Sequence, residues 1–324
     1  MKACRIGSKL QNVLFPAILL LVSLLPLGWR WQNGVVYLAK ILLIQLTAVS
    51  GGYLLLGRLY RNQWAVFVGA ALYVTAPWRY DLCFVQNRLM PSLAWALLPW
   101  YLFVLLGLLQ QSKKWTIPAA AITIAAIGYI HPVLYCLTAA LTVVLIAGAL
   151  AARSRKVAAL LSLAVSAVLW LPGNLEFLKY LLTDTVSEYG VPIQNITPKG
   201  YLFVDFLTTF AWQDGKPGLG LGVIAMLAIY VYMRLVREQK VLSREGTILG
   251  ILGLCCLLLT TQYFPWELVQ RLGGWALKLV SQMETPVIFM GFAVLLLPAA
   301  AASAVSTLQQ DKKHSKPTSD RRSS

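Results

Sequence analysis

Ten apolar runs, each bounded by charged or turn-forming residues, follow one another at about positions 13–29, 34–57, 63–78, 89–110, 115–130, 132–152, 157–173, 218–236, 246–263 and 285–304. A helix needs about 20 apolar residues to cross a bilayer, and only segments that close their own backbone hydrogen bonds are stable in lipid. The runs are continuous, not alternating, which excludes a transmembrane β-barrel. They predict an all-α, polytopic membrane protein of about ten spans. Composition agrees: 58% of the 324 residues are hydrophobic and 12% are charged, against about 45–50% and 25% in soluble domains. The stretch from Trp115 to Ala152 is too long for one crossing at about 1.5 Å per residue. It is divided at His131-Pro132, because proline disfavours continuation of a helix.

Lysine and arginine outnumber aspartate and glutamate by 28 to 12, a balance that in a soluble protein would point to nucleic acid. Ten spans give it another origin. With the N-terminus inside, the inner segments hold Lys2, Arg5, Lys9; Arg58, Arg61; Lys113, Lys114; Arg153, Arg155, Lys156; Arg234, Arg237, Lys240, Arg244; and Lys312, Lys313, Lys316, Arg321, Arg322. The outer segments hold Arg30, Arg79, Arg88, Lys179, Lys199, Lys216, Arg271 and Lys278, while Lys40 lies within a span. Acids are biased the other way, with only Glu238, Glu245, Asp311 and Asp320 inside. Basic residues resist translocation, so this excess records topology. The expectation is a multi-pass cell-membrane protein with both termini cytoplasmic, membrane lipids as partners and no nucleic acid. The first run, preceded by Lys2, Arg5 and Lys9, lacks a clear small-residue cleavage site and reads as a retained span.

The organisation that follows is a single transmembrane domain over residues 1–304 and a disordered, basic cytoplasmic tail over 305–324. Two outer segments are long. One covers 174–217 and includes Tyr201 to Trp212, which reads as a further interfacial or re-entrant helix. The other covers 264–284, where apolar residues recur at helical spacing between charges and predict an interfacial helix. Cysteines at 4, 83, 136, 255 and 256 form no CxxC pair, and His131 and His314 are far apart. No metal site is signalled. No nucleotide-binding or hydrolase motif is present, no cofactor is indicated, and no inverted repeat is visible.

Charge in or near the bilayer is costly and therefore informative. Two readings stand for Lys40: an ammonium that snorkels to the headgroups, or a cation in an outer-facing cleft that binds phosphate or carboxylate. Arg30, Arg79 and Arg88 are placed at similar depth and extend the second reading to a wider anion site, since guanidinium grips phosphate bidentately. Asp81 is the first acid in the chain, so any catalytic carboxylate lies there or later. It has the options of pairing with Arg79 or sharing a polar pocket. His131, at the outer end of a helical hairpin, reads either as a turn or interface residue or as an acid or base. Glu176 and Glu284, at outer helix ends, each read as a cap, an ion-pair partner or a substrate contact.

Several segments together resemble a known group. Gly52-Tyr53-Leu54-Leu55-Leu56-Gly57-Arg58-Leu59-Tyr60, then Ala70-Ala71-Leu72-Tyr73-Val74-Thr75-Ala76-Pro77-Trp78-Arg79-Tyr80, are similar to the bacterial polytopic proteins labelled 6-pyruvoyl-tetrahydropterin-synthase-related, which resemble GT-C-type glycosyltransferases. His131 in its hairpin, Leu169-Trp170-Leu171-Pro172 before Glu176, and Phe264-Pro265-Trp266 before Gln282 agree in order. The resemblance covers about residues 34–300 in patches. The histidine cluster of a pterin synthase is missing, so the label carries no pterin chemistry.

The resemblance implies a GT-C-like fold and transfer of a sugar from a polyprenyl-phosphate donor on the outer face, in cell-envelope glycan assembly. Asp81 or Glu176 would be the acid/base, and Lys40, Arg79 and Arg88 would hold phosphate, with His131 and Glu284 near the substrate. Such enzymes carry an acid in a large first outer loop, whereas the loop at Arg30 to Gly34 has none. Gln86-Asn87-Arg88 stands where relatives show Arg-Gly and Glu, and Met283-Glu284-Thr285-Pro286 replaces a Phe-Pro-Trp-Arg box. Two explanations stay open: an N-terminal span and acidic loop are missing, or catalysis has changed. The alternatives of another class are a non-catalytic protein that binds or moves a lipid-linked glycan, and a small-solute transporter.

Overall fold

The computed structural model describes residues 34–110, 115–149, 153–183, 195–206, 217–235, 244–283 and 285–314. Within these residues the chain is helical, and the one β-type contact is an isolated bridge between Tyr201 and Thr261. The α-helices are α1 (Gly34–Leu59), α2 (Gln63–Val74), α3 (Pro77–Tyr80), α4 (Leu89–Gln110), α5 (Thr116–Ile130), α6 (Pro132–Gly148), α7 (Arg153–Trp170), α8 (Leu175–Leu182), α9 (Leu221–Leu235), α10 (Arg244–Thr260), α11 (Trp266–Gln270), α12 (Gly274–Gln282) and α13 (Ile288–His314).

Four segments are long and apolar enough to cross a membrane: Tyr37–Leu59, Leu89–Gln110, Arg153–Gly173 and Ile288–Ser306. Gln63–Val74, Thr116–Ile130, Pro132–Gly148, Leu221–Tyr232 and Gly246–Thr260 are apolar but shorter. The chain is thus a helical membrane protein. The first expected span, 13–29, lies outside the described residues. The tail begins later than its composition suggests, because α13 continues to His314; residues 315–324 lie outside the described set.

Two helices of comparable apolarity have opposite surroundings. The apolar window of α13 is 89% buried within the protein, whereas that of α7 is 22% buried. Small residues explain the first. Ala293, Ala299, Ala300, Ala301, Ala302 and Ala304 of α13 are buried to within 2%, and small side chains let membrane helices approach closely. α10 packs most extensively on α13, and α2 and α9 also lie against it. Around this axis α1 packs on α4, α4 on α5, and α5 on α7.

The predicted break at His131-Pro132 is present. His131 is extended at φ −149°, and its Nδ1 accepts the backbone N–H of Leu134 at 3.3 Å, capping α6. The segment 264–284 is two helices, not one, because Gly273 at φ +147° separates α11 from α12. The expected helix from Tyr201 to Trp212 is not formed in its described part. Tyr201 instead pairs with the end of α10 through Tyr201 N–H to Thr260 O (3.0 Å) and Gln262 N–H to Tyr201 O (3.1 Å). A short 3₁₀ turn over Phe203–Phe206 follows, and residues 207–216 lie outside the described set. Asn195 ties the same region to α11 by donating to Glu267 at 2.7 Å.

Candidate functional site

The cavity stands on the turn between α2 and α4. Pro77 occupies the first position of α3, where its missing N–H costs no helical bond. The helix then widens over Asp81–Val85 into a π-type turn, a form that concentrates at functional sites. Asn87, in the left-handed region at φ +55°, ends it and turns the chain into α4; asparagine tolerates that conformation better than most residues. Trp78, Leu82 and Gln86, spaced by four, therefore share one side of the turn and line the same cavity.

That cavity measures about 330 Å³, at the small end of the about 300–1,000 Å³ typical of ligand pockets. Its apolar walls include Trp78, Trp95 and Phe177, and its polar groups are Gln86, Arg88, His131, Gln282 and Thr285. Trp78 meets Trp95 edge-on with centroids 5.1 Å apart, and Trp95 meets Phe292 edge-on at 5.0 Å. These contacts fix the aromatic wall from behind.

Hydrogen-bond roles are already partly assigned. The amide nitrogen of Gln86 donates to the Asp81 carboxylate, which leaves Gln86 Oε1 as its acceptor for a ligand. His131 Nδ1 accepts from Leu134, so the neutral ring carries its proton on Nε2.

The structure brings together Arg88 and His131 from the candidates named by sequence, but not the others. Lys40 is exposed on α1 and Arg79 is buried, and neither lines the cavity. Asp81 is buried behind Gln86, which stands between it and the cavity in place of an Arg79 pair. Glu176 points away and pairs with Lys179 at 2.8 Å, both side chains more than 60% exposed; such pairs contribute little. Glu284 lies outside the described residues, although Met283 and Thr285 on either side of it line the cavity. Sequence reading had no ground for Trp78, Trp95, Gln86 or Gln282 as lining residues. The steps of four from Trp78 through Leu82 to Gln86 were the available signal for two of them.

Burial pushes the Asp81 carboxyl above its ordinary pKa, and the Gln86 hydrogen bond offsets part of the rise. Burial pushes up the phenol of Tyr201, and the Asp81 charge adds to the rise. A raised native pKa means that the folded state binds the proton more tightly than the unfolded state. Between the ordinary value, about 4, and the raised one, stability falls as pH rises. Thermal unfolding in detergent across that window is expected to show this slope in the wild type and its loss in Asp81→Asn, which keeps an acceptor for Gln86.

No protein-family description matches the chain, and no curated protein or solved structure matches it.

Proposed function

We propose that the chain is a GT-C-like membrane protein of about ten spans, with cytoplasmic termini, whose outer-face cavity receives the sugar-phosphate end of a polyprenyl-phosphate-linked donor and transfers the sugar during cell-envelope glycan assembly. The observation that carries this reading is the cavity's division into aromatic walls and a polar rim. Sugar rings present apolar C–H faces to tryptophan and hydroxyls to amides, while arginine suits phosphate. Arg88 would hold the phosphate, and Gln86 would accept from a hydroxyl. Transfer needs a carboxylate to take the acceptor's proton as its oxygen attacks the sugar's anomeric carbon and the polyprenyl phosphate leaves. Glu284 is assigned that role, because both of its chain neighbours line the cavity.

One observation favours the second reading, a non-catalytic protein that binds or moves a lipid-linked glycan. No carboxylate is among the described residues that line the cavity. Purified protein in nanodiscs, given a polyprenyl-phosphate donor with a radiolabelled sugar, separates the two. Glu284→Gln is expected to abolish transfer while donor binding persists, and Arg88→Gln to weaken binding about 10- to 100-fold, as loss of a charge-assisted hydrogen bond does. Wild-type binding without turnover would select the second reading. Absence of wild-type binding would overturn both.

A further inference from the structure

We propose that the chain holds an anionic-phospholipid site at the end of the bundle opposite the cavity, where Arg58 of α1 and Arg155 of α7 converge on Gln110 and receive one headgroup phosphate. The site does not rest on the reading of the cavity. Both guanidinium groups are fixed by contacts to the same residue. Arg58 Nε donates to Gln110 Oε1 at 3.1 Å, and Arg155 Nη1 donates to the Gln110 carbonyl oxygen at 2.6 Å. Arg58 also lies over the Phe103 ring, its guanidinium carbon 5.3 Å from the centroid. Gly107 leaves the room this needs, since a Cβ there would stand 3.0 Å from that carbon and from Nη1.

Each guanidinium presents five N–H groups in one plane. The bonds described take one nitrogen of each, so Arg58 Nη1 and Nη2 and Arg155 Nη2 and Nε have no hydrogen-bond partner among the described residues. The one ion pair among those residues, Lys179 with Glu176, lies beyond the other end of α7. Two like charges therefore meet at Gln110 with no described acid between them. Lys156, next along α7, reaches Ala147 in the last turn of α6 and adds a third. The carbonyl ends of α4 and α6 offset about half a charge each, which leaves the site positive. A phosphate whose oxygens are shared between the two guanidinium forks answers both the charge and the open donors.

Its level in the membrane makes that phosphate a lipid's. Arg88 on the cavity precedes α4 and Gln110 ends it. The 22 residues of the helix rise about 33 Å at about 1.5 Å each, close to the hydrocarbon thickness of a bilayer, about 30 Å. Trp64 at the start of α2 and Trp115 just before α5 are 47% and 58% exposed at this same end, as tryptophans at a membrane surface are. From Arg58 back toward the cavity, Phe103, Trp100, Leu97 and Leu93 form a partly exposed stripe on α4 at steps of three and four. The Trp100 indole ties that stripe to α1 by donating to the Thr47 carbonyl at 2.9 Å. On the α7 side, Val157, Leu160 and Leu161 are exposed. An acyl chain thus has apolar surface directly below the headgroup, which free phosphate would not use. A zwitterionic headgroup brings its own cation to the site and is disfavoured.

Thermal unfolding in nanodiscs of phosphatidylcholine, with and without phosphatidylglycerol, tests the site in the wild type, Arg58→Gln, Arg155→Gln and Arg153→Gln. Phosphatidylglycerol is expected to raise the wild-type midpoint. The increment is expected to vanish in Arg58→Gln and Arg155→Gln and to persist in Arg153→Gln, an exposed neighbour that loses the same charge and has no described bond to Gln110. Equal increments in all four proteins, or an equal loss in the three variants, would overturn the proposal, because either describes a diffuse surface field. So would no increment from phosphatidylglycerol, or one that inorganic phosphate reproduces in phosphatidylcholine discs. Should Arg58→Gln and Arg155→Gln fail to fold, native mass spectrometry of the wild type and Arg58→Lys takes their place. One phosphatidylglycerol is expected to stay on each wild-type chain in preference to phosphatidylcholine. Arg58→Lys keeps the charge, loses the fork and is expected to bind about 10-fold more weakly. No preference in the wild type, or equal retention by the two proteins, would overturn the site.

Discussion

Gly291→Ala is expected to destabilise the protein by about 1–3 kcal/mol, the usual cost of overpacking a filled interior, and to abolish ligand binding in the cavity. A Cβ at position 291 would stand 2.5 Å from Trp95 Cη2 and 2.7 Å from Trp78 Cη2. Both rings line the cavity, and neither is free to retreat. Trp95 is 4% exposed and held by Trp78 on one side and Phe292 on the other. The way out for the strained rings is into the cavity. Trp95→Phe removes the two nearest clashing atoms, Cη2 and Cζ3, and leaves Trp78 Cη2, so the double variant Gly291→Ala, Trp95→Phe is expected to lose less stability than the sum of the two single variants. Unfolding midpoints of the four proteins in the double-mutant cycle measure the coupling. Simple additivity would show that the clash is absorbed elsewhere.

Trp170 carries the other large effect. It is buried at the end of α7, stacks on Tyr135 with centroids 4.6 Å apart and planes 9° apart, and meets Phe177, a cavity wall, edge-on at 6.2 Å. Trp170→Ala is expected to cost about 3–5 kcal/mol, as truncation of a buried aromatic does. Trp170→Phe should behave quite differently. The indole Nε1 is buried without a partner among the described residues, and an orphaned donor costs about 1–3 kcal/mol. Phenylalanine keeps much of the stacking and removes that donor, so its net effect is expected to lie near zero. Unfolding of the two variants side by side checks this. A large loss in Trp170→Phe would mean that Nε1 does have a partner.

Helix positions were largely legible before the structure. The apolar run 89–110 is α4, and the break at His131-Pro132 separates α5 from α6, because proline's missing N–H acts locally whatever the surroundings. Where a boundary depended on distant partners, reading failed. Tyr201 has the apolar neighbours of a helix, yet its backbone pairs with Thr260 and Gln262, residues about 60 positions away. Candidate residues divide the same way. Arg88 and His131 were visible because charge or a titratable ring near a bilayer is rare. Gln86, Gln282, Trp78 and Trp95 were not, because amides and tryptophans at span ends are common.

Hydrophobicity and punctuation by charge, proline and glycine determined that this chain is helical and membrane-bound, since lipid leaves so few ways to satisfy a backbone. They could not determine which helix faces protein. α7 and α13 read alike as apolar segments, but one is 22% buried and the other 89%, because lipid and a helix interior solvate apolar side chains equally well. The same indifference hid the division of the basic residues. Only packing put Arg88 on the cavity and Arg79, nine residues earlier, into the buried interior. A one-residue change of helical face turns a side chain by about 100°, and what waits in that new direction is settled by neighbours far away in sequence.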